Sequence, residues 1–321
     1  ELEGVALPPR PDRDVTGMRL LGVGGAHIDR RGQVTGDYVP GASNPGTWRE
    51  EVGGGAFNAL RNAVARGAVG TLFSARGGDP AGTRVADAAS SWGIADLSVT
   101  FLDRATPSYT ALLDRSGDLI AGLADMSVYD LALGRQFRRR SFRDALAQAD
   151  ALLIDANIPA EGIERIAGAV RSFAVAVSPA KVVRLSRALP ALECVFMNGR
   201  EAAVLAGAPG AGPDELVRRL PERGLKQGIV TDGARGAFGF DGQGAFHVAA
   251  PQVAVADVTG AGDALAGATV AALLRGLSLR DAVREGVAAA TLTVESNAAV
   301  IRASESTFDA RLRLVPPPAG I

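Results

Sequence analysis

The chain has 321 residues, 40 of them glycine, and its 34 basic and 35 acidic side chains leave a formal net charge of −1. One cysteine, Cys194, excludes an intramolecular disulfide framework, and two histidines, His27 and His247, exclude a histidine-rich metal centre. Lys181 and Lys226 are the only lysines and neither follows a glycine-rich loop, which removes a P-loop; the balanced charge argues against a nucleic-acid polymer as partner.

Residues 1–17 read as an N-terminal extension, too polar and proline-rich for a signal peptide. No apolar run reaches the roughly 20 residues of a membrane helix, so a cytoplasmic chain without a membrane partner is expected. One folded domain is expected over 18–315, with PPPAGI, 316–321, as a loose tail. MRLLGVGG, 18–25, fits a buried strand emptying into a tight turn, and 29–49 carries turn signals in place of a helical period, as two short strands or a flap would. GGGAFNALRNAVARGA, 53–68, turns helical, and VGTLFSARG, 69–77, returns to strand. SYTALLDRSGDLIAG, 108–122, reads as a hairpin around Asp114-Arg115-Ser116-Gly117. ALLIDAN (151–157), EGIERIAGAV (161–170), FAVAVSP (173–179) and CVFMN (194–198) alternate strand, helix, strand, strand, and a short helix follows at GREAAVLAG. LKQGIVTDG and GAFGFD form a strand pair, and helical pattern dominates from Ala261. Alternation of this kind predicts an α/β fold: a mainly parallel sheet with helices on both faces. The two polar segments 29–49 and 103–123 can pair as a small sheet beside it.

The strongest local signal is DVTGAGDALAG, 257–267. Gly260, Ala261 and Gly262 have almost no side-chain bulk before an alanine-rich helix, and backbone N–H groups at such a start favour an anion. Asp263 falls in the first turn beside that anion, where it can take a proton from an attacking hydroxyl. The same aspartate can simply cap the helix, and local pattern leaves both readings open. Thr231, Gly233 and Gly236 in TDGARG fit either a nucleotide phosphate or a plain hairpin turn. Asn198 and Glu201, three apart at a helix start, fit hard-oxygen contacts to magnesium through water, or a capping box. Three glycines before Asn58 are entropically expensive at a helix start unless something approaches the backbone closely. Asp29 can take two sugar hydroxyls or be a turn aspartate. His27 reads as a packed or hydrogen-bonded strand-end side chain. Asp155 and Asn157 end a strand, where ligands bind in open α/β sheets. GVGGAH, 22–27, lacks the third glycine of a dinucleotide loop.

Taken together, DVTGAGD, GGGAFN, Asn198 to Glu201 and TDGARG resemble the ribokinase-like (PfkB) carbohydrate kinases, across residues 18 to about 305. The resemblance implies a three-layer α/β sandwich with a small β lid from 29–49 and 103–123, ATP and Mg2+ as cofactors, K+ as a further one, and a homodimer formed through the lid. It implies Asp263 as the base and Gly260, Ala261 and Gly262 as the anion hole. It puts Asp29, Gly54, Gly55 and Asn58 on the sugar, with Ser43, Asn44, Asp155 and Asn157 beside them. Asn198 and Glu201 would organise Mg-ATP, with Thr231, Gly233, Gly236, Thr259 and Asn297 near the nucleotide and Asp257 at a monovalent cation. Within the family, AHID, SNPG (43–46), DAN (155–157) and LTVES (292–296) resemble the pseudouridine-phosphorylating group, while His27 and Ser178-Pro179 depart from its pattern. The expected activity is phosphoryl transfer to the primary hydroxyl of pseudouridine. The alternatives are ribose, adenosine or another sugar, or a sensor that binds without turnover.

Overall fold

The computed structural model describes residues 17–321; the extension expected at the N-terminus lies, but for Gly17, outside the described residues. In chain order the first half contains β1 (Arg19–Val23), β2 (His27–Val34), β3 (Gly46–Gly53), α1 (Gly55–Ala65), β4 (Val69–Phe73), β5 (Ala75–Gly77), α2 (Pro80–Ser91), β6 (Ala95–Asp96), β7 (Val99–Phe101), β8 (Ser108–Leu113), β9 (Leu119–Asp125), α3 (Gly134–Gln136) and α4 (Arg140–Gln148). The second half contains β10 (Ala151–Asp155), α5 (Ala160–Ile166), β11 (Arg171–Val175), β12 (Cys194–Asn198), α6 (Gly199–Ala206), α7 (Pro213–Arg219), β13 (Gly228–Thr231), β14 (Ala237–Asp241), β15 (Gly244–Val248), α8 (Ala261–Leu274), α9 (Leu279–Val294), α10 (Glu305–Leu314) and β16 (Ala319–Gly320).

Ten strands form the main sheet in the order β16-β15-β14-β13-β12-β11-β10-β1-β4-β6. The run from β13 to β6 is parallel, and β14, β15 and β16 are antiparallel at one edge. The central strands bury both faces, as their near-continuous apolar sequence requires. Leu20 of β1 and Leu153 of β10 join the core under α1, α8 and α9, while Leu21, Val23, Leu152 and Ile154 join a second core on the other face. Helix α8 is buried along Ala264–Leu274, consistent with a sequence apolar on all sides.

The two polar segments do pair. β3-β2-β8-β9 make a separate four-stranded sheet, joined across by the parallel β2–β8 pair. Its β8–β9 turn is closed by the Asp114 carboxylate, which accepts the N–H groups of Ser116 and Asp118 at 2.9 Å each. Two expectations shift. The helix expected over 161–170 ends at Ile166, because Ala167 is extended and Gly168 turns left-handed at φ 80°. The expected loose tail is instead tied down: Ala319 and Gly320 pair with His247 and Phe246 as an edge strand.

Candidate active site

The site lies where the small sheet, α1 and the start of α8 converge. Gly260 begins α8 at φ 77°, and a Cβ there would lie 2.3 Å from the Ala299 carbonyl oxygen, so only glycine fits this entry. The first-turn N–H groups have no intrahelical partners. Ala261 N–H reaches the Val258 carbonyl at 3.3 Å, a long bond that an incoming oxygen can replace. Further along, a Cβ on Gly267 would lie 2.2 Å from the Ala59 carbonyl oxygen. This close approach of α8 to α1 brings Asn58 to Asp263, one turn before Gly267, and the Asn58 amide donates to Asp263 Oδ2 at 2.9 Å.

Arg61, one turn beyond Asn58, was not singled out by the sequence. It is buried, its guanidinium lies 4.5 Å from the Phe57 ring centre, and it donates to Val52 O at 2.8 Å and to Asn58 Oδ1. Burial pulls its pKa down to about 10, opposed by Asp263, Glu51 and Asp29, so it stays charged near neutrality. Burial likewise pushes the Asp263 carboxyl up to about 7. The Asn58 hydrogen bond opposes that rise, Asp155 and Asp29 add to it, and Arg61 opposes it. A carboxyl tuned to this range can accept a proton at neutral pH.

On the lid side, Asp29 of β2 lies over Gly53, where a Cβ would fall 1.9 Å from Asp29 Oδ2. The first glycine of the run thus clears room for the carboxylate. Gly54 caps α1 at φ 110°, and a Cβ there would meet Gly25 O at 2.3 Å. Asp29 Oδ1 lies 3.3 Å from His27 Nε2, and His27 Nδ1 lies 3.3 Å from the Tyr129 hydroxyl. That hydroxyl accepts Ala26 N–H at 2.9 Å and donates to Ala26 O at 3.0 Å, which fixes the chain Tyr129–His27–Asp29. His27 therefore orients Asp29 from a buried position, as a packed and hydrogen-bonded strand-end side chain.

Four residues expected on the substrate sit otherwise. Asp155 is fully buried: its Oδ2 accepts Gly25 N–H, Ala56 N–H and the Asn157 amide at 2.9 Å each, and its Oδ1 accepts Asn157 N–H at 3.0 Å. Asn157 Oδ1 accepts Lys181 Nζ at 2.6 Å. Both side chains are buried on these inward contacts and hold the turn after β1 against the start of α1; they position the site. Ser43 and Asn44 lie in the β2–β3 turn, beyond the Val34–Gly46 pair and at the far end of the strands from His27. Asn44 spends its amide there on Val39 N–H and O and on Ala42 O.

Beyond Asp263 opens a cavity of about 820 Å³. Asn198, Glu201, Thr231, Gly233, Gly236 and Gly260–Asp263 line it on the polar side, and Val255, Val258, Val287, Ala290 and Val294 form an apolar wall. It is large enough for a nucleotide and has the mixed apolar and polar lining of ligand clefts. Asn198 and Glu201 make the reciprocal capping box: Glu201 N–H donates to Asn198 Oδ1 at 3.0 Å, and Asn198 N–H donates to Glu201 Oε2 at 2.8 Å. Glu201 is nonetheless buried against the cavity, and burial raises its pKa. One carboxylate beside a nucleotide cavity suits Mg2+, which keeps several waters and takes its remaining ligands from substrate phosphates. Gly55 and Asn58 are at the start of α1, and Asn58 is buried. Val177 also lines the cavity and is the one non-glycine with positive φ, 71°, among the described residues.

Asn297 differs from its expected place: it is exposed in the turn after α9 and is absent from the cavity lining. Asp257 differs too. Its Oδ1 accepts Thr259 N–H at 2.9 Å and Thr259 Oγ1 at 2.7 Å, so Thr259 faces Asp257. Its Oδ2 accepts Arg31 at 2.9 Å and Arg49 at 2.5 Å, both from the small sheet. These hydrogen bonds hold its carboxyl below the ordinary range against the effect of burial. A K+ ion brought to this oxygen would meet two guanidinium groups, so the Asp257 carboxylate as held here does not fit one. Among the described residues no cluster of three or more histidine, cysteine or carboxylate side chains forms a metal site, and no helix is long and apolar enough to cross a membrane.

Comparison with known proteins bears directly on this geometry. The pfkB family carbohydrate kinase model matches residues 19–305. A pseudouridine kinase of Escherichia coli is 26% identical over 283 residues, covering 85% of this chain and 90% of its own length. A ribokinase of Haemophilus influenzae is 31% identical over 160 residues, 48% of this chain and 52% of its own. Among solved structures, a carbohydrate kinase from Agrobacterium tumefaciens superposes with a TM-score of 0.82 at 43% identity, covering 94% of this chain and 98% of that one. The ribokinase of Arabidopsis thaliana complexed with ribose and ATP has the same fold, with a TM-score of 0.79 at 20% identity, covering 92% and 99%. The chain belongs to the pfkB family of carbohydrate kinases, ATP- and Mg2+-dependent phosphotransferases that act on a sugar or nucleoside hydroxyl.

Proposed function

We propose that this kinase phosphorylates the primary hydroxyl of a ribose-type sugar or nucleoside held between the lid and α1. The observation that carries the reading is the position of Asp263: it stands between the about 820 Å³ cavity and Asn58 at the start of α1. Asp263 accepts the proton of the sugar hydroxyl as that oxygen attacks the γ-phosphorus of ATP, and ADP leaves. The N–H groups at Gly260, Ala261 and Gly262 receive the oxygens of the transferring phosphoryl group. Asp29, oriented by His27, accepts sugar hydroxyls, and Gly54 and Gly55 let the sugar approach bare backbone. Thr231, Gly233 and Gly236 flank the nucleotide, and Glu201 with Asn198 orients it through water. Mg2+, when bound with ATP, neutralises charge on the phosphates. The lid closes over the sugar and keeps water from the phosphoryl group.

The apolar residues Trp48 and Leu123, both exposed, lie on the lid face opposite Asp29, which supports a homodimer through that face. Pseudouridine is one substrate within the class, supported by the likeness to the E. coli enzyme over 85% of the chain. Ribose and adenosine are the others. Incubation with ATP, Mg2+ and each compound in turn, with products identified by mass spectrometry and phosphorus NMR, tests the reading. A phosphomonoester on the primary carbon of at least one of them is expected. ATP turnover to free phosphate with all of them would overturn it.

A further inference from the structure

Arg31 and Arg49 stand directly opposite each other in the antiparallel β2–β3 pair. The paired positions alternate faces, so this pair shares its face with Asp29 and Glu51, which are likewise opposite each other. The face that carries Asp29 over the site therefore also carries two guanidinium groups, and both reach across to Oδ2 of Asp257. Asp257 is three residues before Gly260, and its other oxygen is held by Thr259. The cationic charge beside the entry to α8 thus comes from side chains of the lid.

We infer that Arg31 and Arg49 fill the place of a monovalent cation, so that phosphoryl transfer by this chain is independent of K+ and depends instead on the lid arginines. The inference rests on the kinase reading above, and it is where the chain departs from the cation site first expected at Asp257. Three observations carry it. Both Asp257 oxygens already have partners at 2.5–2.9 Å. The two guanidiniums would repel a cation brought to the same oxygen. And Arg31 and Asp29 are two residues apart on one strand, so the strand placement that puts Asp29 over the site also puts Arg31 at Asp257. Arg31 and Arg49 are positioning residues: they act through Asp257 and Thr259 on the backbone at Gly260, without touching substrate.

Two measurements test this on the full chain. First, melting temperature is compared in KCl and in choline chloride at equal ionic strength, without substrates. The same melting temperature in both salts is expected. A K+-specific rise that Asp257→Asn abolishes would overturn the inference, whether or not the kinase reading holds, because this readout needs no turnover. Second, initial rates at saturating ATP and Mg2+ with pseudouridine, ribose or adenosine as acceptor are compared in the same two salts for the wild type and for Arg31→Gln/Arg49→Gln. Wild-type rates should be equal within about twofold, and the double variant should lose on the order of tenfold in kcat with sugar KM changed less, a smaller loss than removal of a direct oxyanion donor causes. K+ activation of the wild type, or an unchanged kcat in a double variant that retains the wild-type circular dichroism spectrum, would overturn it. A wild type inactive in both salts with pseudouridine, ribose and adenosine sinks the proposed substrate reading and leaves the melting comparison to decide the cation question.

Discussion

At Asp263 burial and neighbouring charge act against each other. The carboxyl is pushed up to about 7, chiefly by burial, with Asn58 and Arg61 opposing and Asp155 and Asp29 adding. As a base it must be ionised, so kcat/KM should rise with pH and level off above about 7, since that parameter reports the free enzyme. Removing the Arg61 charge takes away one opposing influence: Arg61→Met should move the acidic limb to higher pH, whereas Arg61→Lys should move it less. A limb at the same pH in all three proteins would contradict the role given to Arg61. Linkage has the opposite sign for stability. A carboxyl whose pKa is raised from 3.8 to about 7 on folding contributes stability that is full below 3.8 and lost as pH rises through about 7. Asp263→Asn should therefore melt above the wild type at pH 8, and the gap should close near pH 4, as followed by calorimetry. Asp263 was legible as a candidate because a glycine-rich turn without side-chain bulk and an acidic residue share one short motif. Arg61 was not, because a buried arginine on an amphipathic helix reads as a solvated face until α8 is packed against it. Asp155 was legible as a residue at a ligand-binding strand end, yet its hydrogen bonds run inward to Gly25, Ala56 and Asn157, which no local pattern reports.

Elements meet here through missing side chains. Helices α1 and α8 approach at Gly267, where a Cβ would lie 2.2 Å from backbone oxygen. Gly267→Ala should force them apart, at a cost of about 1–3 kcal/mol typical of overpacking. It should also lower kcat, because the Asn58–Asp263 contact lies one turn away. Urea unfolding with an unchanged slope and a lower midpoint checks the first part. An unchanged midpoint would show that the helices can yield. Strand and helix order was readable from period and from turn signals, since each central strand is apolar on both faces. The pairing of Ala319–Gly320 was not, because a two-residue edge strand after three prolines has no period to read. The small sheet was readable as two polar strand-like segments, but which of its faces meets the body depends on register. That register puts Asp29 and Arg31 together, and it explains why the expected cation site at Asp257 is filled from the lid.

For the whole molecule, one site draws on three parts of the chain far apart in sequence: lid strands near residue 30, α1 near 58 and α8 near 263. Length and glycine content were compatible with such an assembly, and the family resemblance supplied its outline. Ser43 and Asn44 lie at the far end of the small sheet from Asp29, away from the proposed sugar position. Trp48 and Leu123 leave apolar surface exposed on the lid. The proposed dimer predicts a wild type that sediments as a dimer and a Trp48→Glu variant shifted toward monomer in sedimentation velocity; a wild type that is monomeric throughout would contradict it. The most direct test of the account as a whole is ADP formation at pH 8 with ATP and Mg2+, with and without pseudouridine, ribose or adenosine, for the wild type and Asp263→Asn. ADP release stimulated by at least one of these compounds is predicted for the wild type, reduced roughly 100-fold or more in the variant. Release that none of them stimulates, or equal rates in the two proteins, would contradict it.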